Sequence, residues 1–220
     1  EEGLGVLQDY KEALRWYRFS AEQGKANAQS NLGLMYYNGR GVPRDYEEAF
    51  RLFNLSAEQG DALAQSNLGT MHYKGQGVPK DYKEAVKWYR LSSEQKHSKA
   101  QSNLGVMYEK GYGVPQDYNE ALRLFRLSAE QGGADAQYNL GTMYYEGLGV
   151  QKDYNEAVKW HLLSSEQGHR TAQYNLGFMY YKGLGVQKDY NEVLKWYRLS
   201  AEQGYHQAQF GLGVMYFEGK

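Results

Sequence analysis

Residues 138–149 read YNLGTMYYEGLG, and residues 174–185 read YNLGFMYYKGLG, 36 positions later. The same spacing separates the aspartates of successive "DY" pairs, which are Asp9, Asp45, Asp81, Asp117, Asp153 and Asp189. A fixed period of this length is typical of a solenoid, in which each unit buries its apolar face against the next unit. The sequence therefore predicts one continuous array.

Each unit contains a first helix, here called helix A, which the sequence predicts over residues 26–38. Ala28 and Leu32 lie on one face of this helix, because residues four apart share a face. Gly33 lies beside them and allows a neighbouring helix to come close. Gly39 is suited to the left-handed conformation that ends a helix.

A second helix, helix B, is predicted over residues 46–59. The Asp45 carboxylate caps its free backbone donors, and Glu48 is expected to reach back to the Asp45 amide as a capping box. Ala49 and Phe53 belong to a wide apolar arc, so helix B is expected to lie between neighbouring helices. A period of 3.6 rather than 2 excludes a strand-based repeat.

The predicted fold is all-α: a right-handed superhelical α/α solenoid of antiparallel helix pairs with a 36-residue repeat. Residues 1–220 are expected to form a single solenoid domain of six repeats, cut from a longer array. The first helix is a B helix and the last is an A helix, so apolar side chains at both ends are expected to meet water. These are Leu14, Trp16 and Phe19 at one end and Met215 and Tyr216 at the other. End-to-end stacking of copies is the alternative to a longer array.

Composition limits the classes of partner. The chain has 25 Lys and Arg against 26 Asp and Glu, so its charge favours neither nucleic acid nor an anionic membrane. It contains no cysteine, and no apolar run approaches the ~20 residues of a membrane span. We predict no cofactor, no nucleic-acid partner and no membrane insertion. Several compartments are compatible with the sequence. They are the bacterial cytoplasm, the bacterial periplasm, the outside of a bacterial cell and the lumen of the eukaryotic secretory route.

The units share the pattern AQxNLGxMYYxGxGVxxDYxEAxxWYRxSAEQG, which resembles the Sel-one-like repeat, a relative of the tetratricopeptide repeat. The match spans the whole chain. Lys96 departs from it where the other units have glycine, and is expected either to distort the turn between helices B and A or to form another cap. The resemblance implies an adaptor that assembles protein complexes, with helix A lining the concave side.

Helix A carries a second arc opposite its core face, and this arc differs between units and becomes more aromatic toward the C-terminal half. Scaffold positions have reason to repeat, whereas a surface matched to a non-repeating ligand has reason to differ. We therefore predict a groove that binds an extended or helical segment of a protein or peptide. The residues predicted to line it are Leu34, Tyr37, Tyr73, Tyr138, Tyr145, Tyr174, Phe178, Tyr181, Phe210 and Phe217, with Asn31, Asn67, Asn103, Asn139 and Asn175 at its edge.

Other interpretations of these residues remain open. The asparagines also fit a structural role as hydrogen-bond partners of a neighbouring turn, and the aromatic rings also fit packing between units. At the level of the whole chain, a hydrolase or small-ligand protein with a concave pocket and a purely structural spacer are the alternatives. The histidines lack the HExxH spacing of a zinc site, and "GxGV" follows a helix, which favours helix termination over phosphate binding.

Overall fold

The computed structural model describes residues 7–220 and contains twelve α-helices of 13 residues within that range. No strand occurs among these residues. The helices come in consecutive B and A positions of a 36-residue repeat, so the predicted all-α fold is confirmed. Their bounds are α1 Tyr10–Glu22, α2 Ala26–Asn38, α3 Tyr46–Glu58, α4 Ala62–Lys74, α5 Tyr82–Glu94, α6 Ser98–Lys110, α7 Tyr118–Glu130, α8 Ala134–Glu146, α9 Tyr154–Glu166, α10 Arg170–Lys182, α11 Tyr190–Glu202 and α12 His206–Glu218.

The chain divides into two compact units. The N-terminal unit runs to Ala100 and includes Tyr112–Val114, and the C-terminal unit comprises Gln101–Gly111 and Pro115–Lys220. Within the N-terminal unit, α2 packs on α3 and α4 packs on α5. Within the C-terminal unit, α8 packs on α9 and α10 packs on α11. In each unit, the core is built from the face that the sequence predicted.

The glycine in the middle of helix A lets an aromatic ring of the following helix B approach the backbone. A Cβ atom on Gly33 would lie 2.8 Å from Cε1 of Phe53, and one on Gly69 would lie 2.6 Å from Cδ1 of Tyr89. Real Cβ atoms do not tolerate such distances, because they lie well inside van der Waals contact. The predicted close approach at Gly33 is therefore confirmed.

The helix ends confirm most of the predicted caps and correct one of them. Gly39 is left-handed with φ 69°, and the Asp45 side chain accepts a hydrogen bond from the Glu48 amide at 3.0 Å. The reciprocal half of the capping box is wrong. The Asp45 amide instead donates to the Tyr36 carbonyl at 3.0 Å, and the Glu48 carboxylate accepts from Arg51. The end of the preceding helix A supplies the acceptor that Glu48 was expected to supply.

Polar side chains bond helix A to the following helix B of the same repeat, at a separation of 30 residues. Ser56 Oγ donates to the Ala26 carbonyl at 2.8 Å, and Gln59 Nε2 donates to Gln29 Oε1 at 2.8 Å. In the C-terminal unit, Ser164 donates to the Ala134 carbonyl at 2.8 Å and Gln167 donates to Gln137 at 2.7 Å. Because these groups are partly buried, the bonds satisfy polar atoms that packing removes from water.

The end helices agree only in part with the expectation of exposed apolar side chains. Trp16 is 60% exposed and Tyr216 is 64% exposed, whereas Met215 is buried. The prediction for Met215 is wrong because this side chain packs in the cluster of Val193, Tyr197 and Ala208. The stacking of copies and the longer array both stay predictions.

Lys96 keeps the turn that glycine forms in the other units. Its φ is 62°, in the left-handed region, and its amide donates to the Ser93 carbonyl at 2.9 Å. Gly60 forms the corresponding bond to the Ala57 carbonyl at 2.9 Å. Lys96 therefore neither distorts the turn nor replaces the cap, and its β-carbon carries the steric strain of a left-handed residue.

Replacing Lys96 with glycine is expected to raise the free energy of unfolding by about 1 kcal/mol, because glycine adopts positive φ without that strain. Urea denaturation measures the change. Lys99, an exposed residue inside α6, provides the matched control, since Lys99→Gly is expected to lower stability by about 0.5–1 kcal/mol. A loss of stability in Lys96→Gly would contradict the prediction.

Candidate partner-binding surface

The A-helix surface is defined here as the fifteen predicted groove residues, from Asn31 to Phe217, on the six A helices. Thirteen of them are half-buried. The other two, Phe210 and Phe217 on α12, are 75% and 93% exposed. The surface is thus neither sealed inside the core nor, except on α12, fully open to water.

The tyrosines two residues after the methionine of helix A lie against the first residue of the next helix B. The ring centroids are 5.3 Å apart for Tyr37 and Tyr46, and 5.4 Å apart for Tyr145 and Tyr154. Tyr73 and Tyr181 make the corresponding contacts with Tyr82 and Tyr190. Tyr37 also donates a hydrogen bond to Gln76 at 2.6 Å. These rings therefore stabilise the repeat while part of each ring stays accessible.

Tyr138 and Tyr174 occupy the repeat position that is a buried serine in α2, α4 and α6. Tyr174 stacks on Tyr197 with ring centroids 5.3 Å apart, and Tyr138 stacks on His169 at 4.6 Å. Burial raises the pKa of both phenols. Because each ring is larger than the serine that it replaces, it reaches past the core and adds to the surface.

The asparagines of the "NLG" motif are half-buried on every A helix that carries them. Asn67 Nδ2 is buried and has no hydrogen-bond partner. An unpaired buried amide costs free energy, so it is not explained by a structural bond to a neighbouring turn. Asn31 and Asn175 each line a cavity, as described below.

Four predicted residues come together around a cavity of about 230 Å³ in the C-terminal unit, between α8, α9 and α10. They are Tyr145 from α8 and Tyr174, Asn175 and Phe178 from α10. The walls are mainly aromatic, and Asn175 adds an amide group. This geometry suits an inserted side chain, because flat apolar walls and a few polar groups are typical of recognition pockets.

The sequence analysis missed the other residues of this cavity, which are Thr142, Glu146, His161 and Met179. His161 belongs to helix B, whereas the predicted groove residues all lie on helix A. One signal was available. His161 interrupts a position that is otherwise aromatic, as Tyr17, Phe53, Tyr89, Phe125 and Tyr197 show.

His161 is the most deeply buried polar side chain of the cavity. It is 1% exposed, and its Nδ1 has no hydrogen-bond partner. Burial, with a smaller contribution from the nearby His169, lowers the pKa of His161 to about 4. The imidazole is therefore neutral at neutral pH and keeps both a donor and an acceptor nitrogen.

A second, wider cleft lies in the N-terminal unit, where Asn31 and Leu34 face Trp16 and Tyr17 of α1. The remaining predicted residues do not line either cavity. They are Tyr37, Asn67, Tyr73, Asn103, Tyr138, Asn139, Tyr181, Phe210 and Phe217. The structure thus divides the predicted groove residues between two cavities, separate half-buried positions and the two exposed rings of α12.

Two further features bear on function. Across residues 7–220, no three His, Cys, Asp or Glu side chains are grouped closely enough to hold a metal ion. Each helix in the same range has 13 residues, and none combines the length and the apolar character that crossing a bilayer demands.

The structural repeat matches a known family and solved structures. The Sel1 repeat model matches residues 1–25, 26–61, 62–97, 98–133, 134–169, 170–205 and 206–220. A Sel1 repeat protein from Oxalobacter formigenes is 37% identical over 96% of this chain and 84% of its own, with a TM-score of 0.86. A protective antigen present in uropathogenic Escherichia coli strains, which displays an SLR fold, is 39% identical, with a TM-score of 0.82.

The match to the Escherichia coli antigen covers 99% of this chain, which spans only 47% of the antigen's length. An immunity protein from Pseudomonas aeruginosa shares the fold at 21% identity, over 90% of this chain and 76% of its own, with a TM-score of 0.61. The comparison with curated proteins gave no match. The five full matches, from 26 to 205, follow in 36-residue steps and each pair an A helix with the following B helix, and two shorter matches cover the ends. The chain therefore belongs to the Sel1 repeat family.

Proposed function

We propose that this chain is a non-enzymatic scaffold that binds a protein or peptide segment along its A-helix surface. Sel1 repeat solenoids commonly act as scaffolds for protein interactions, which supports the general role. The finer proposal rests on one observation: Tyr145, Tyr174, Asn175 and Phe178 surround a single cavity and remain half-buried.

Energetic reasoning favours aromatic side chains in this role. A few aromatic residues carry most of the binding free energy in many protein interfaces. Rings that are already held by packing lose little conformational entropy on binding. Tyr174 is held by Tyr197, and the Lys182 ammonium lies 5.7 Å from the Phe178 ring centroid. Both rings are therefore preorganised for a partner segment.

Replacing Tyr174 and Phe178 together with alanine is expected to weaken partner binding at least about tenfold, or 1.4 kcal/mol. The partner would be captured from the native host with the immobilised chain, identified, and then produced pure. Isothermal titration calorimetry of the pure pair gives the dissociation constants for the wild type and the variant. The expected change reflects the loss of two rings from the contact surface.

Leu163→Ala combined with Leu199→Ala is the matched control. Both leucines lie on B helices of the same unit and are 38% and 39% exposed. This control is expected to bind the partner as the wild type does. Equal binding by the Tyr174 and Phe178 variant would contradict the proposal. So would a stability loss of several kcal/mol in that variant, because such a loss is typical of core rings.

A further inference from the structure

His161 lines the cavity from a repeat position that holds a longer ring in the other repeats. Tyr89 holds the equivalent position two repeats earlier. Its ring packs against Gly69, and its hydroxyl donates to Thr70 Oγ1 at 3.1 Å. His161 packs in the same way against Gly141, where an added Cβ would lie 2.9 Å from Nδ1. An imidazole is shorter than a phenol, so it leaves space toward Thr142, the counterpart of Thr70.

Thr142 lines one side of this space, and Tyr138 lies one turn earlier in α8. Thr142 Oγ1 donates to the Tyr138 carbonyl at 3.0 Å, as Thr70 Oγ1 donates to the Ser66 carbonyl at 3.0 Å. The Tyr138 hydroxyl also interacts with the Thr142 side chain, which partly offsets the rise that burial causes in the pKa of Tyr138. Thr142 thus already has neighbours in its own helix, whereas His161 Nδ1 has no hydrogen-bond partner.

The unpaired Nδ1 of His161 is buried beside Gly141, so the imidazole nitrogen left to meet a ligand in the cavity is Nε2, at the far end of the ring. A buried nitrogen of this kind favours a ligand that brings a hydrogen-bonding group. Leaving such a group unpaired costs free energy, and a ligand that pairs with it recovers that cost. The pKa of His161, lowered by burial to about 4, keeps the ring neutral, so a neutral hydroxyl can either donate to it or accept from it.

The charges around the cavity favour a neutral ligand. The Glu146 carboxylate is at the exposed edge, and the Lys182 ammonium lies over the Phe178 ring. These two charges are opposite in sign, so neither a cation nor an anion is strongly preferred. The rings of Tyr145, Tyr174 and Phe178 present aromatic walls that suit another flat ring.

We propose that the cavity between α8, α9 and α10 accepts a tyrosine side chain from a partner segment, with the phenol hydroxyl bonded to His161. This inference rests on the proposed scaffold function, since it names the chemistry of the partner at that site. The bound ring lies among Tyr145, Tyr174 and Phe178. Its hydroxyl supplies the hydrogen bond that His161 lacks within the chain.

The test uses small side-chain analogues on the full 220-residue chain labelled with nitrogen-15. The probe is p-cresol, which carries the tyrosine ring and hydroxyl, and toluene is the matched analogue without the hydroxyl. Titrations followed by two-dimensional amide NMR are expected to show p-cresol shifting the signals of Gly141, Thr142, Tyr174 and Asn175. Toluene is expected to bind about tenfold more weakly, because it leaves the imidazole unpaired.

Two variants test the volume of the cavity and the hydrogen bond to His161 separately. His161→Phe introduces the ring that Phe53 and Phe125 already place in this position, so the chain is expected to fold. The longer ring extends into the cavity and removes the nitrogen, so p-cresol binding is expected to be lost. His161→Leu keeps a side chain of similar size without nitrogen. It is expected to bind p-cresol and toluene equally.

Several results would overturn the inference. Equal binding of p-cresol and toluene to the wild type would exclude the hydroxyl bond, and unchanged p-cresol binding in His161→Phe would exclude the cavity. Tighter binding of 4-methylbenzylammonium than of p-cresol would instead indicate a cation site.

The scaffold function is tested separately from the tyrosine pocket. A partner that binds wild type and His161→Phe equally would refute the tyrosine pocket but not the scaffold, whereas p-cresol binding without any protein partner would refute the scaffold alone.

Discussion

Replacing Phe125 with alanine is expected to lower the free energy of unfolding by about 3–5 kcal/mol. The Phe125 side chain is fully buried and packs with Ala121, Ala129 and Leu140 in the core of the C-terminal unit. A Cβ on Gly105 would lie only 2.7 Å from the Phe125 ring, so the ring fills the space beside a glycine. Ala121, Ala129 and Gly105 are too short to fill the space that the ring leaves, so a cavity is expected to remain.

Urea denaturation monitored by circular dichroism measures this change. Leu127→Ala is the matched control, because Leu127 lies on the same helix, α7, and is 37% exposed. It is expected to cost less than about 1 kcal/mol, as partly exposed apolar side chains contribute little. Similar losses for the two variants would contradict the core assigned to the C-terminal unit.

Lowering the pH from about 7.5 to about 5 is expected to cost about 2 kcal/mol of stability through His161 alone. Burial holds the pKa of His161 near 4 in the folded chain, whereas an unfolded histidine titrates near about 6.5. Between these values the unfolded state binds a proton that the folded state does not. Stability from this residue is therefore present above about pH 6.5 and is lost as the pH falls toward 4.

The His161→Phe variant isolates this contribution. The pKa values of His72, His97 and His169 are also lowered by burial, so the wild type loses stability in acid through several histidines. Subtracting the acid-induced loss of stability of His161→Phe from that of the wild type removes the contribution of the other histidines, which both proteins share. Denaturation at the two pH values is expected to show a smaller loss in the variant. An NMR titration of His161 with a midpoint at about pH 6.5 would contradict the lowered pKa of this residue.

Helix bounds could be predicted closely because the chemistry that sets them is local. Asp45 and Gly39 act on backbone groups a few residues away, and such caps repeat in each unit. Helix A was predicted over 26–38 and is observed over Ala26–Asn38. Helix B, predicted over 46–59, ends at Glu58, because Gln59 forms the cap.

Contacts between helices were predicted less well. The capping box failed because the Asp45 amide finds the carbonyl of Tyr36, nine residues earlier, across the turn between the two helices. The response of Lys96 could not be decided from sequence either. Both a distorted turn and a left-handed lysine were compatible with its residue type, and the surrounding hydrogen bonds selected the second.

The candidate site, too, could be predicted only in part from the sequence. The variable aromatic positions were visible in the sequence, and three of them meet at one cavity together with Asn175. His161 was overlooked because it comes from helix B and approaches the A helices only after folding. The sequence held the necessary signal, an aromatic position interrupted once, but its consequence depends on the volume between three helices.

The bounds of the helices can be predicted from sequence because they depend on neighbours within one or two turns. The 36-residue period, the glycine beside each core ring and the family can be predicted because the same residues recur exactly. The tertiary structure decided which amide pairs with which carbonyl, how far each tyrosine is buried and where a shorter ring leaves room. These outcomes depend on distances between separate helices, which no local pattern of residues specifies.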